Sequence, residues 1–502
     1  MNRARRPDFH AGIAALRGRL LLGALAWGVL GMLLGAAPGC GDTREEERPP
    51  TTGARSEPAQ AESPGPRDGP PNMLLYIVDT LRADALTPYG APAAATPNIA
   101  GFAAKSVVFE RAYAQSSWTR ASVASILASL YPGVHGAEDR PDALSDRVTL
   151  LSEIVREHGY RTGFITTNPN TGRFFGFDQG FDELVEMYDH TPGSKIKPAA
   201  MKASAEDVAA RVTRFLEAGP EPFLLVVLSI DPHSPYSPPA HFDRGAGQHD
   251  SAAQGTGAWI NRPDLRPADK ARIRSLYDGE VAYTDHGFGR VRESLGRLGL
   301  AQDTITVLTS DHGEAFWEHG ERGHGKSLYE ETVRVPLLIH YPAKLAQARR
   351  VERAVETIDI APTLLDLAGL PATATLEGRS LFADDATQTA RAISRLKLEE
   401  HDIVSLQKGN WKLIWDLQSD QKQLFDVRVP GEHEDVAAQA QARVEAMTSE
   451  LEAHLAKTRS ARNELLGDTA PGVVTPEDLP EEQRRLLEEL GYLEPESEPT
   501  PQ

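Results

Sequence analysis

Three short stretches of this 502-residue chain carry residue types that could do metal-assisted ester chemistry. They are IVDTLRAD (Ile77 to Asp84), SSWTRASVAS (Ser116 to Ser125) and TSDHGEAFWEHGERGHGKSLYEE (Thr309 to Glu331). Asp79 and Asp311 each follow a short apolar run, Leu74 to Val78 and Ile305 to Leu308. Such runs read as buried parallel strands, which places both carboxylates at strand carboxyl ends, the edge of an open α/β sheet where ligands bind. His312 adds an imidazole, and Thr119 a hydroxyl at the start of a helix-like segment. Two Asp, one His and one hydroxyl are the minimum for a metal-activated alkoxide nucleophile. Helix capping is the plainer use of two of them: Asp79 ahead of a helix over Thr80 to Leu86, and Thr119 ahead of its own.

The elements that must position these groups alternate along the chain. Strand-like runs recur at Leu74 to Val78, Thr162 to Ile165, Phe223 to Ile230, Thr304 to Leu308 and Val335 to His340. Amphipathic helix patterns lie at Val148 to His158, Ser204 to Glu217 and Lys270 to Leu298, and a further short helix at Asp359 to Leu367. The alternation predicts an α/β fold with a doubly wound, mainly parallel sheet, spanning residues 71–389. From 390 to 502 the runs are short and hairpin-like (Ala392 to Ile393, Asp402 to Gln407, Trp411 to Asp416, Gln423 to Val427). Helical periodicity follows at Val436 to Lys457, and an acidic amphipathic pattern at Leu479 to Leu493. This predicts a small C-terminal α+β subdomain with a helical tail.

In order and wording the chain resembles the sulfatase branch of the alkaline phosphatase superfamily from about Pro71 onward. The resemblance is carried by the three stretches above together with FLLVVLSIDPHSPYSPP, SLYDGEVAYTD, VRVPLLIHYP, TIDIAPTLLDLAGLP and KGNWKLIWDL. It implies a metal-dependent ester hydrolase in which Asp79, Thr119, Asp311 and His312 are metal ligands. The usual second acid beside the first Asp is here Thr80, which leaves a site less suited to calcium. His312 stands where sulfatases more often have Asn, as in phosphate- and phosphonate-ester members, and imidazole favours manganese or zinc. The expected cofactor is therefore one divalent ion, manganese, zinc or magnesium in preference to calcium.

The nucleophile position departs from the sulfatase pattern. Counting back from Tyr131-Pro132 by the family spacing gives Thr119, with Ala121 in the third position and Val123 where the family has Arg. Thr cannot supply a formylglycine aldehyde, but a metal-bound Thr alkoxide is the nucleophile of phospho-transferases and phosphodiesterases in this superfamily. A shifted register remains open, with Ser116 four residues before Arg120. The family's Lys-x-His anion pair is absent after Gly159-Tyr160-Arg161-Thr162, and Asn168 and Asn170 stand in that neighbourhood. The resemblance also points to His324 as a catalytic proton donor, and to Arg120, Asn168, His233 and Lys326 as substrate contacts.

Composition bounds the rest. The formal charge of −19 argues against nucleic acid as a partner and means that an anionic substrate must be held by local charge. Arg3, Arg5, Arg6, Arg17 and Arg19 precede an apolar run from Leu20 to Leu34, small residues, and then Cys40, the only cysteine. This reads as a lipoprotein signal over 1–40 with Cys40 acylated, an uncleaved anchor being the alternative. The lone cysteine excludes disulfides and any cysteine-derived catalytic group. Residues 41–70, rich in Pro, Glu and Ser, read as a disordered tether. The expectation is a lipid-anchored hydrolase of the cell envelope acting on sulfate or phosphate esters. Two alternatives stay open: a phospho-transferase of envelope lipids or glycans, and a non-catalytic binder of anionic glycans.

Overall fold

A computed structural model of the chain describes residues 69–188, 203–245, 262, 264–373, 375–383, 391–467, 472–490 and 492–493. The signal segment with Cys40, nearly all of the 41–70 tether and the 389/390 boundary lie outside them. Among the described residues no helix is long and apolar enough to cross a membrane.

Runs of β-branched and aliphatic residues with no polar face become strands buried on both sides. The first, β1 (Asn72–Val78), shows this: every residue is buried, and its side chains alternate between two cores. Met73, Leu75 and Ile77 face one core; Leu74, Tyr76 and Val78 face the other. The remaining strands of the main sheet are β2 (Val107–Tyr113), β3 (Arg161–Thr166), β4 (Glu183–Glu186), β5 (Phe223–Ser229), β6 (Thr304–Ser310), β7 (Arg334–His340) and β8 (Arg349–Glu356). Their order is β8-β2-β7-β6-β1-β5-β3-β4. β1 is parallel to β5 on one edge and to β6 on the other, paired along nearly its whole length with both. β7 alone runs antiparallel to its neighbours β2 and β6. The mainly parallel α/β sheet is therefore as expected.

Helices cover both faces, as a doubly wound sheet requires. α1 (Pro97–Ala103), α4 (Ala205–Ala218) and α5 (Pro267–Arg297) pack over one; α2 (Thr119–Ala128), α3 (Leu151–Glu157) and α6 (Ile360–Ala368) over the other. The α4 start is chemically explicit. Ser204 Oγ accepts from Asp207 N at 3.1 Å, and Asp207 Oδ2 accepts in return from Ser204 N at 3.1 Å. In α5, Pro267 occupies the first turn, where its missing N–H costs nothing. The helix predicted over Val148 to His158 is shorter than its pattern. Leu150 is the N-cap residue, and its N–H donates to Glu153 Oε2 at 2.8 Å.

The C-terminal part is a four-stranded antiparallel meander, β9 (Arg391–Leu398), β10 (His401–Lys408), β11 (Trp411–Asp416) and β12 (Lys422–Asp426), with α7 (Gln441–Leu466) packed on it. A nine-residue helix, α8 (Glu481–Glu489), follows.

One buried carboxyl gives a pH-dependent stability. Glu356, at the end of β8, accepts from Tyr131 Oη at 2.9 Å and from Ile393 N at 2.8 Å. Burial and the neighbouring Asp359 carboxylate push it up to about 8. Between its ordinary value of 4.5 and about 8, the folded protein keeps a proton that the unfolded chain releases. Stability from this group is thus full at low pH and declines as pH rises towards 8. Glu356→Gln should flatten that decline, with a difference from wild type at pH 8 on the order of 1–3 kcal/mol. Denaturant melts of both proteins from pH 5 to 8.5 check it; parallel curves would show that the carboxyl does not titrate in this window.

Candidate active site

Four adjacent parallel strands, β6, β1, β5 and β3, end on the same edge, and each delivers a polar group there. Val78 and Ser310 are register partners, so Asp79 and Asp311 emerge side by side. His312 follows Asp311, Asn168 follows β3 and His233 follows β5. No α-helix starts at Asp79, so the capping role is not realised there. The chain instead turns through Thr80 in a left-handed conformation (φ 56°) into a short 3₁₀ turn at Ala83–Ala85. Tyr277 of α5 pins this turn, its Oη donating to Thr80 O and accepting from Arg82 N, both at 2.9 Å. Gly313 lets the chain after His312 pass beside the next segment, where a Cβ would stand 2.1 Å from Glu331 O.

Asp79, Asp311 and His312 are completely buried, and one ligand atom from each lies within 4.8 Å of the others. Asp311 Oδ1 accepts from Thr80 N at 3.2 Å and from His312 N at 2.8 Å. Its Oδ2 has no hydrogen-bond donor and lies 3.4 Å from His312 Nε2. His312 Nδ1 is 2.9 Å from Gly313 O, which assigns the ring proton to Nδ1 and turns the Nε2 lone pair inward. Burial holds this imidazole below its ordinary value, only partly offset by the Asp311 carboxylate. Lone pairs thus converge from two carboxylates and a neutral imidazole. A buried arrangement of this kind, with two carboxylates and an imidazole lone pair facing one another, fits a divalent cation.

Thr119 is the first residue of α2, after an extended Trp118 in the N-cap position. Its hydroxyl therefore does not cap. It points to His312 Nε2 at 3.1 Å, and both residues are fully buried. Of the two hydroxyls considered, Thr119 is the one brought to the Asp–His cluster. Ser116 is buried, and no described hydrogen bond takes it there. The helix N-terminus adds partial positive charge beside the Thr119 oxygen.

The other expected contacts divide. Asn168 Nδ2 donates to Asp79 Oδ2 at 2.6 Å, which places it at the centre. His233 and His324 stack edge-on with ring centroids 4.9 Å apart, and His324 lies 4.5 Å from the His312 ring. Gly325 is required for this loop: at φ 71° its N–H bonds Ser117 O at 2.8 Å, and a Cβ would meet Leu398. Two expectations are corrected. Arg120 turns away into the protein, donating to the carbonyls of Arg140 and Asp142 and to Asn170 Oδ1, with its guanidinium 3.5 Å from the Phe175 ring centre. The residue after Thr119 on a helix points to another face, and backbone carbonyls claim it. Lys326 stands half-exposed at the surface, 3.4 Å from Glu321, because a solvated ammonium there avoids desolvation.

Two groups were not legible in the sequence as parts of this site. Glu314, completely buried, faces His324 Nδ1 at 3.4 Å. Burial raises its carboxyl, but His324 and Arg322 outweigh this and hold it below the usual range. Its place two residues after His312 in DHGE was the only hint. The second is Tyr492, beyond α8. Its hydroxyl accepts from Asn168 Nδ2 at 2.8 Å, donates to His233 Nε2 at 2.9 Å and lies 3.5 Å from Thr119 Oγ1. Nothing in the acidic tail pattern signals this.

If Glu314 orients His324 for proton donation, Glu314→Gln should lower kcat about 10- to 100-fold for esters with poor leaving groups and less for 4-nitrophenyl esters. A leaving-group series measured on both proteins checks this; a uniform loss across the series would assign Glu314 to folding alone.

Comparison with known proteins adds the following. The family model described as Sulfatase matches residues 71–370, and that described as N-sulphoglucosamine sulphohydrolase, C-terminal, matches residues 318–461. The arylsulfatase of Clostridium perfringens (strain 13 / Type A) is 25% identical over 427 residues, covering 71% of this chain and 88% of that protein. Among solved structures, the phosphonate monoester hydrolase of Agrobacterium radiobacter superposes with a TM-score of 0.64 at 22% identity, covering 77% of this chain and 96% of that one. A protein solved with its substrate D-glucosamine-2-N,6-O-disulfate superposes with a TM-score of 0.64 at 20% identity, covering 79% and 98%. At these identities the superpositions speak for the fold.

Proposed function

The chain belongs to the sulfatase family of ester hydrolases, and from that premise we propose that Thr119 is its nucleophile and that its substrates are phosphodiesters. The observation that carries the proposal is the Thr119 hydroxyl, 3.1 Å from His312 Nε2 beside Asp79 and Asp311. A divalent cation held by Asp79, Asp311 and His312, such as manganese, zinc or magnesium, would supply Lewis acidity and lower the pKa of a neighbouring hydroxyl.

The chain's own residues supply the rest. Thr119 Oγ attacks phosphorus in line and forms a threonyl phosphoester as the leaving-group oxygen departs. His324, held by Glu314, protonates that oxygen. Asn168 donates to a non-bridging oxygen, with the His233 ring beside it. Water then attacks the threonyl phosphoester and releases Thr119.

Charge and nucleophile together support phosphorus. With Arg120 turned inward and Lys326 at the surface, no Lys or Arg expected to hold substrate reaches the cluster among the described residues. Such a site suits an anion of one charge, a phosphodiester or a sulfate monoester, better than a doubly charged phosphate monoester. Between those two, an alkyl sulfate on Thr would be released only by attack at sulfur, which lacks the aldehyde route of formylglycine enzymes. Sulfate-ester hydrolysis is the second reading, favoured by the arylsulfatase similarity.

The test is turnover of bis(4-nitrophenyl) phosphate against 4-nitrophenyl sulfate by the manganese- or zinc-loaded protein. Phosphodiester preference is expected, and sulfate preference would restore the second reading. The proposal includes residues 1–40 as a lipoprotein signal and Cys40 as a lipid anchor at the envelope, supported by the Arg-rich start and the Leu20 to Leu34 run.

A further inference from the structure

We infer that the C-terminal tail is a built-in plug for this site: α8 and Tyr492 occupy the place of the substrate's anionic group and must leave before it binds. The inference rests on the anion site proposed above.

Three observations carry it. First, the Tyr492 hydroxyl occupies the place where Asn168 would hold a substrate oxygen. Asn168 donates to it, His233 accepts from it, and Thr119 lies 3.5 Å away. An ester oxygen bound by Asn168 beside His233 and the phenol oxygen therefore exclude one another. Second, the tail closes the centre. Asp79, Thr119, Asn168, Asp311 and His312 are 0% exposed, His233 is 1% exposed, and Tyr492 itself is 2% exposed, packed edge-on against Trp118 at 5.2 Å. A nucleophile without solvent exposure cannot meet an ester from solution until something moves.

Third, the tail is the part best suited to move. Among its described anchors are the buried Leu486 and Leu487, a 3.4 Å bond from Gln483 to Pro169 O, and the contacts of Tyr492 itself, none of them a sheet pairing. The other groups of the centre stand on sheet edges and α2. A catalytic phenol would be expected to leave Asn168 and His233 free for the substrate; this one engages both.

The test uses the full chain loaded with manganese, with inorganic phosphate as the probe. Wild type, Tyr492→Ala and Leu487→Asp are titrated calorimetrically. Leu487→Asp releases α8 without altering any group that would touch the anion, and it keeps the phenol. If the docked tail is the dominant state, apparent affinity is reduced by the undocked fraction, so both variants should bind phosphate about ten- to a hundred-fold more tightly. In wild type, phosphate should also speed tryptic cleavage at Arg484 and Arg485, which α8 protects when docked. Equal phosphate affinity in all three proteins would overturn the plug and leave the anion site standing. Absence of phosphate binding in all three would overturn both.

Discussion

Thr119→Ala should reduce hydrolysis about ten-thousand-fold or more while leaving the fold and metal content intact. The size follows from the role. Without the hydroxyl no covalent intermediate forms, and what remains is the binding and charge stabilisation of the other groups. The cost to folding should be small, because Thr119 does not cap α2 and its described side-chain hydrogen bonds go only to His312 Nε2 and the Tyr492 hydroxyl. Thr119→Ser should recover part of the rate, and Ser116→Ala should leave it unchanged. The measurements are kcat, melting temperature and bound metal by mass spectrometry. Retained turnover in Thr119→Ala, or loss in Ser116→Ala, would move the nucleophile to Ser116.

Asp311→Asn should weaken divalent-metal binding by more than about a hundred-fold and abolish metal-dependent turnover. Its expected effect on the metal-free protein has the opposite sign. Asp79 and Asp311 are both fully buried, and their lone pairs converge with that of His312. Without a cation such a cluster is destabilising, so replacing one carboxylate by a neutral amide should raise the metal-free melting temperature by about 2–4 °C per kcal/mol relieved. Metal should then raise the melting temperature of wild type and not of the variant. Thermal melts with and without chelator decide it; a variant that is less stable when metal-free and still takes up metal would remove Asp311 from the ligand set.

The sequence exposed those parts of the site that depend on local pattern. Asp79 and Asp311 were placed correctly because an apolar run buried on both faces can end only at a sheet edge, and the register of β1 with β6 then brings the two acids together. The C-terminal meander was also legible from its short runs. β2 and β8 were not, since Glu110, Arg111, Arg349 and Arg350 interrupt their apolar pattern. Arg120 was misassigned because its spacing from Thr119 says nothing of its direction, which Phe175 and the carbonyls of Arg140 and Asp142 decide. Tyr492 could not be found at all. The amphipathic pattern located α8, but where a surface helix docks depends on a complementary face made by residues distant in sequence, here 373 positions from Thr119.

The pairing of β1 on both edges has a consequence for the clock on which different parts of the centre open. An amide held by full-length neighbours on either side exchanges its hydrogen for deuterium only when the whole molecule unfolds. The backbone that carries Asp79 and Asp311 should therefore be among the slowest to exchange. The amides of α8, a nine-residue helix outside the sheet, should exchange through local opening many times faster. The centre is thus suspended between a durable sheet edge and a more readily opened helix: its acids can be uncovered without being displaced.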